Sequence, residues 1–450
     1  MNACRRRAAR RWGVQGALLL AAAIVSIWAS PVRAMPIERV VSPLGIEVWL
    51  VRQTTVPLIN LQFAFAGGAA QDSADKSGVA HLASALLDEG AGKLDSKTFQ
   101  ERLESNAIEL RFQAGRDYLQ GTLRTLTENR DEAVELLRLA LNEPRFDREP
   151  VERVRSQVLS SLRRQTTNPN TIGSQRWWET AFPDHPYGRN VDGTVQSVPR
   201  ITVDDLQAYT KRVLARDNLK IAMVGDIDAA GAAAMVDRIF GALPAKADLR
   251  PVPAADPQGL GQRIVVDLDV PQAVVTFGRL GIARKDPDFM AAYIVNYILG
   301  GGSFSSRLYR EVREKRGLAY GIHDSLVWLK SSSLMLGGTA TRSDRTAETL
   351  EVIEKETKRL AEEGPTLEEL RKAKAYLKGS FVVNLNNSGK IASTLLQIQI
   401  DDLGIDYMDR RNALIDAVSL DDAKRVAKRL LDSKMLVTVV GRPEGVTSRN

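Results

Sequence analysis

The sequence predicts an α+β fold built twice, each copy a mainly antiparallel sheet covered by helices. Three observations carry this reading. Stretches with period-two alternation interleave with stretches of helical period, and some strand-like runs follow one another directly. The pattern recurs once at long spacing. A proline- and glycine-rich stretch separates the two occurrences.

The repeat is visible residue by residue. Val56, Pro57, Phe63 and Gly67 in the first half correspond to Val270, Pro271, Phe277 and Gly281 in the second at one constant offset. Near the ends of the halves, Thr202-Val203-Asp204-Asp205 and Ser419-Leu420-Asp421-Asp422 each precede a helix and then a strand, over Leu219–Gly225 and Met435–Gly441. So long a period reads as duplicated domains and not as a solenoid. Residues 243–262 hold Pro244, Pro251, Pro253, Pro257, Gly259 and Gly261, the composition of a linker. The expected domains are therefore 36–242 and 263–441, with a polar tail over 442–450.

Strand alternation is expected at Leu58–Phe65, Tyr118–Leu126 and Ala273–Phe277. Helical patterns cover about 77–89, 96–106, 131–141, 149–165 and 203–214. In the second half they cover about 287–299, 305–316, 344–362, 366–378 and 421–431. The mixed charges over 344–378 read as a solvated helical face.

At 450 residues, with 44% hydrophobic and 26% charged residues, the chain has the composition of a globular protein with sizeable cores. Its first 34 residues read as a cleaved signal peptide: Arg5, Arg6, Arg7, Arg10 and Arg11, an apolar run from Gly16 to Ala29, then Val32-Arg33-Ala34. Export, to the periplasm, is the expectation. Without that segment the basic and acidic residues nearly balance, so the basic whole-chain charge is no sign of nucleic-acid binding. No stable membrane span is expected after cleavage. Cys4, the single cysteine, lies in the signal, which excludes disulfides, thiolate metal sites and cysteine nucleophiles from the mature chain.

There are three histidines. His81 opens the helical stretch Ser77 to Gly90, His185 sits in Asp184-His185-Pro186-Tyr187-Gly188, and His323 lies in a strand-like segment. His81 and Asp88, seven apart, would share a helix face, a weak metal pair at most. His185 reads as part of a rigid turn, and His323 has no assigned role. The richest stretch is Gly300 to Tyr320: a glycine run at Gly300, Gly301 and Gly302, a serine-capped helix, a stop at Gly317, then a strand. The glycine run lacks the Lys-Ser/Thr ending of a phosphate loop. Reversal at Gly317 would bring Arg313 and Tyr320 to one spot, a fixed charge beside a phenol donor. A helix-end arginine and a packed tyrosine would give the same residues a structural role.

The stretch around His81 resembles the pitrilysin family of inverted-motif zinc peptidases, which includes insulysin and mitochondrial processing peptidase. That family carries H-x-x-E-H there, two zinc ligands and a general base on one helix face. Here His81 matches the first histidine, but Ser84 and Ala85 stand at the glutamate and second-histidine positions. The family's later E-x6-E pair falls on Val154 and Ser161. The His-Pro-Tyr loop at 185–187 also has a family counterpart. So does the Arg/Tyr pair, on Arg313 and Tyr320, which in the family contacts substrate beside the zinc near a glycine-rich loop.

The resemblance implies a chain that binds no metal itself. It implies the zinc-lacking subunit of a heterodimeric metallopeptidase, inactive alone, with a homologous zinc-bearing partner. Arg313 and Tyr320 would act with that partner's zinc on a peptide or unfolded polypeptide, with Gly300, Gly301 and Gly302 contributing to substrate binding. The alternative is a non-catalytic structural or peptide-binding homologue.

Overall fold

The computed structural model describes residues 36–449, and the expected signal peptide lies outside them. One sheet is built from β1 (Glu38–Val41), β2 (Glu47–Arg52), β3 (Leu58–Ala66), β4 (Glu109–Ala114), β5 (Tyr118–Leu126) and β6 (Leu219–Gly225). The other comprises β7 (Arg263–Val266), β8 (Gln272–Leu280), β9 (Ala319–Trp328), β10 (Ser333–Arg342) and β11 (Leu436–Val440). The spatial orders are β1-β2-β6-β3-β5-β4 and β7-β11-β8-β10-β9. All pairings are antiparallel except β2 with β6 and β7 with β11. Apart from β1 the two sheets have one topology: the last strand of each half inserts beside the long strand that carries the repeated Phe63 or Phe277. β4 and β9 are equivalent edges.

Helices α1 (Val79–Ser84), α2 (Ser96–Ser105), α3 (Arg130–Asn142), α4 (Arg148–Gln165), α5 (Pro169–Ala181), α6 (Val203–Val213) and α7 (Ala229–Phe240) belong to the first half of the chain. The second half holds α8 (Phe289–Asn296), α9 (Thr346–Glu363), α10 (Leu367–Asn384), α11 (Ser388–Ile400), α12 (Tyr407–Ala417) and α13 (Leu420–Leu431). The repeated Thr/Ser-x-x-Asp signatures are capping boxes: Thr202 with Asp205 starts α6, and Ser419 with Asp422 starts α13. Residues 243–262 form neither helix nor strand. Among the described residues no helix is long and apolar enough to cross a membrane.

Phe63, Phe65 and Phe240 pack edge to face in the centre of the first core. The second core gathers α8, α9 and α13 over β8, β9 and β10.

Each half also lends a helix to the other sheet. α5 lies on β8 and β11: Trp177 Nε1 donates to Leu436 O at 3.1 Å, and Thr438 Oγ1 donates to Gly173 O at 2.9 Å. α11 lies on β3 and β6: Asn60 Nδ2 donates to Ser388 Oγ at 2.7 Å, and Gln399 Nε2 donates to Ile221 O at 2.6 Å. Asn168 and Asn387 cap the two helices, and Gly173 lets α5 lie close to its sheet, since a Cβ there would come 3.3 Å from Thr276 Oγ1. The exchange is thus itself duplicated.

The expected helix over 77–89 is shorter. α1 stops at Ser84, whose hydroxyl bonds back to His81 O at 2.8 Å, and residues 85–88 form turns. His81 and Asp88 therefore do not share a helix face. Asp88 is half-buried instead, and desolvation there pushes its carboxyl up to about 6.

Candidate functional site

α1 and α4 pack together, and these helices with the turn after α1 carry the four positions at which the zinc-peptidase pattern fails. His81 is half-buried, with Nδ1 3.4 Å from Asp192 Oδ1. Ser84 is buried with its hydroxyl used internally. Ala85 and Ser161 are half-buried, and Val154 joins the apolar core. A methyl, a hydroxyl and an isopropyl group offer no ligand set for zinc beside one imidazole. Among the described residues no three His, Cys, Asp or Glu side chains cluster as a metal site.

The loop before α1 is nonetheless well held. Asp72 accepts from Gly78 N at 2.8 Å and Ala80 N at 3.0 Å, while burial pushes its carboxyl up to about 7. His185 is likewise structural. Its Nδ1 accepts from Tyr187 N at 3.1 Å, so its Nε2 carries the proton and donates to Pro253 O at 3.0 Å. Tyr187 then donates to Asp117 Oδ1 at 2.6 Å and accepts from Ser331 N at 3.0 Å, tying the β4–β5 turn to the β9–β10 turn.

The second half presents a cleft of about 620 Å³ over the open part of its sheet. Arg313 and Tyr320 both line it, and the guanidinium carbon lies 4.4 Å from the centre of the Tyr320 ring. Two backbone irregularities produce this meeting. Residues Tyr309–Glu314 form a π-helical turn, the rarer helix form often found at functional sites. Gly317 then reverses the chain at φ +59°.

The second irregularity is a bulge in β9. Ile322 pairs with Thr339 and Ala319 with Thr341, so Tyr320 and Gly321 together oppose Ala340. Ala319 and Ile322 both face the core, which leaves Tyr320 85% exposed on the cleft side. Strict alternation from Ile322 would have buried it. Thr341 Oγ1 donates to Leu318 O at 2.6 Å and Thr339 Oγ1 to Gly321 O at 2.7 Å, pinning both ends of the bulge.

Charge around Arg313 is divided unevenly. Buried Glu311 pairs with Arg310, Lys315 and Arg316. Burial opposes its ionisation, but hydrogen bonds from Arg316 and Lys315 hold its carboxyl at about 2. Arg313 has no carboxylate partner among the described residues. It donates to the Tyr309 hydroxyl and stacks near the Tyr309 ring, centroid 5.0 Å away. Tyr309 was not singled out from the sequence, although it stands four residues before Arg313 on one helical face.

The glycine run sits beside this cleft. Gly300 is buried so tightly that a Cβ there would meet the Asp324 carboxyl at 2.7 Å. Gly302 N donates to Tyr297 O at 2.8 Å, closing a second π-helical turn over Tyr297–Gly301. The loop residues that line the cleft are Ser303 and Phe304, and Phe304 packs edge-on to Tyr309 at 5.0 Å. α5 contributes Asn170 from its first turn.

Residues 48–195 match the family description Insulinase (Peptidase family M16), and residues 200–377 match Peptidase M16 inactive domain. Among curated proteins, the chain is 27% identical over 326 residues to a protein of Helicobacter pylori named non-peptidase homolog YmxG, covering 72% of this chain and 75% of that one. It is 26% identical over 383 residues to an uncharacterized zinc protease of Streptomyces coelicolor, covering 83% of each. A crystal structure titled as a peptidase M16 inactive domain from Pseudomonas fluorescens superposes with TM-score 0.84 at 27% identity, covering 92% of this chain and 99% of that one. A protease from Helicobacter pylori has the same fold, with TM-score 0.82 at 21% identity, covering 90% of this chain and 100% of that one.

Proposed function

Given that the chain belongs to peptidase family M16, we propose that it is the zinc-lacking subunit of a two-chain peptidase and binds peptide for a homologous, zinc-bearing partner. The observation that carries this is asymmetric. Ser84, Ala85, Val154 and Ser161 leave no ligand set, while Arg313 and Tyr320 stand together at an open cleft with no acidic side chain occupying the guanidinium. An idle arginine in a folded protein is usually paired or solvated at random; this one is stacked between phenols at a fixed place.

In the complex, metal and general base belong to the partner. This chain's contribution is to hold the peptide. The Arg313 guanidinium and the Tyr320 hydroxyl donate to backbone carbonyl oxygens of an extended substrate, and the same donors favour the oxyanion that develops on one of them. The exposed edge of β9 offers backbone groups to an added strand. The export signal expected at the N-terminus would place the complex outside the cytoplasm.

Co-expression with a homologue bearing an intact H-x-x-E-H tests the reading. A stable complex should form and cleave unstructured peptides, neither chain should do so alone, and Arg313→Ala should depress the rate. Cleavage unaffected by that substitution sinks the shared-site reading. The Helicobacter relative, a non-peptidase homolog by name, favours a second reading, a non-catalytic peptide-binding homologue. It predicts peptide binding to the chain and no gain of cleavage with any zinc-bearing homologue.

A further inference from the structure

The cleft that holds Arg313 and Tyr320 has a second basic side chain. His323 lies on β9 and lines the same cleft, exposed beside the bulge that turns Tyr320 outward. Its cross-strand neighbour is Gly338, and a Cβ built on Gly338 would lie 3.7 Å from His323 Cε1. The imidazole therefore rests over bare backbone, within contact distance of the Gly338 position.

The three histidines differ in what they do with their nitrogens. His185 engages both, and His81 has Asp192 beside it. His323 has no hydrogen-bond partner among the described residues. No Asp or Glu lines the cleft; its polar lining is Arg313, His323, two phenols and the small polar groups of Asn170, Ser303, Thr276, Ser325 and Thr339. Gly321 and Gly338 leave the sheet face beside His323 free of side chains. Such a cleft has donors in excess, one fixed positive charge and room for a side chain laid across the strands.

We infer that this cleft selects peptides by a carboxylate, which His323 receives while Arg313 and Tyr320 hold the peptide backbone nearby. The inference rests on the peptide-binding role proposed above and adds to it a substrate class and a specificity residue. A peptide carries that carboxylate either as a Glu or Asp side chain or at its C-terminus, and the geometry admits both. His323 donates an N–H to the carboxylate oxygen, a charge-assisted bond that an amide in the same place would not match.

The test uses the purified full chain and fluorescein-labelled decapeptides of Ala, Ser and Gln, measured by anisotropy. One pair differs by a single central Glu or Gln; the other differs by a C-terminal acid or amide. The expected result is about fivefold tighter binding of the acid member of one pair, and the pair that shows it identifies the source. His323→Gln should bring that ratio below about twofold, and His323→Lys should retain it. Ratios near one for both pairs in the unsubstituted chain overturn the inference and leave the peptide-binding role standing. So does a ratio that survives His323→Gln. Failure of all four peptides to bind overturns the peptide-binding role and the inference with it.

Discussion

The guanidinium of Arg313 is poised 4.4 Å above the ring of Tyr320, across a chain reversal and a strand bulge. Tyr320 faces solvent and Arg313 is only half-buried, so neither is fixed there by full burial. Arg313→Ala in the two-chain complex is expected to lower peptide cleavage by about a hundredfold, the usual cost of one oxyanion donor. Tyr320→Phe keeps the stacked ring and loses only the hydroxyl, so about tenfold is expected. Thermal melting should move little for Tyr320→Phe, since an exposed hydroxyl contributes within about 0.5 kcal/mol. Steady-state rates and melting curves on the same preparations separate the two effects.

The bulge makes its own prediction. Thr341 is buried, and its hydroxyl bonds both to Leu318 O and to Thr349 Oγ1. Thr341→Val preserves the shape and leaves those partners short of a bond, which should cost about 1–3 kcal/mol in urea unfolding. If the bulge relaxes, Tyr320 turns toward the core side. Peptide affinity should then fall together with stability. Unchanged affinity in a destabilised variant would mean that the backbone, not this hydroxyl, sets the bulge.

Much of this was legible in the sequence, for identifiable reasons. The repeat survives because Phe63 and Phe277 fill equivalent core places and because capping boxes mark equivalent helix starts. Arg313 and Tyr320 were found because Gly317 announces a reversal between them. α5 and α11 were not seen. Apolar residues are few in α5 but not in α11, which carries Ile391, Leu395, Leu396 and Ile398, and helical period shows that a face is buried without showing against which sheet. The early end of α1 and the bulge in β9 were also hidden, since hydrogen bonds from Ser84, Thr339 and Thr341 decide them. His323 went unassigned because its partnerless state is a property of the folded cleft.

The exchange of α5 and α11 should make the two halves unfold together. Trp177 is fully buried on the second sheet, and a Cβ on Gly278 would meet its ring at 2.5 Å. Trp177→Ala removes that ring and the bond to Leu436 O, at an expected cost of about 3–5 kcal/mol. Because α5 is joined in sequence to the first half, the loss also weakens the coupling between the halves. Calorimetry should show one transition for the unsubstituted chain and two for the variant. A single transition shifted to lower temperature would assign the coupling to α11 instead.

Asp324 links the cleft to pH. It lies on β9 one residue after His323 but on the core side, fully buried beneath Gly300, with Asn296 donating to Oδ1 and no partner for Oδ2 among the described residues. Burial pushes its carboxyl from 3.8 up to about 8, against the opposing pull of Arg279 and Asn296. The folded chain therefore keeps a proton that the unfolded chain releases above about pH 4. This contribution to stability is fully present below the unfolded value, declines as pH rises, and is lost once pH passes about 8. Asp324→Asn carries no titrating proton and can still accept from Asn296. It should flatten the decline between about pH 4 and pH 8 and be more stable than the parent chain at pH 9. Urea unfolding at several pH values measures this directly. A parent chain whose stability does not fall over that range, or a variant that falls in parallel with it, would show that Asp324 is ionised in the folded state and that Arg279 compensates its charge.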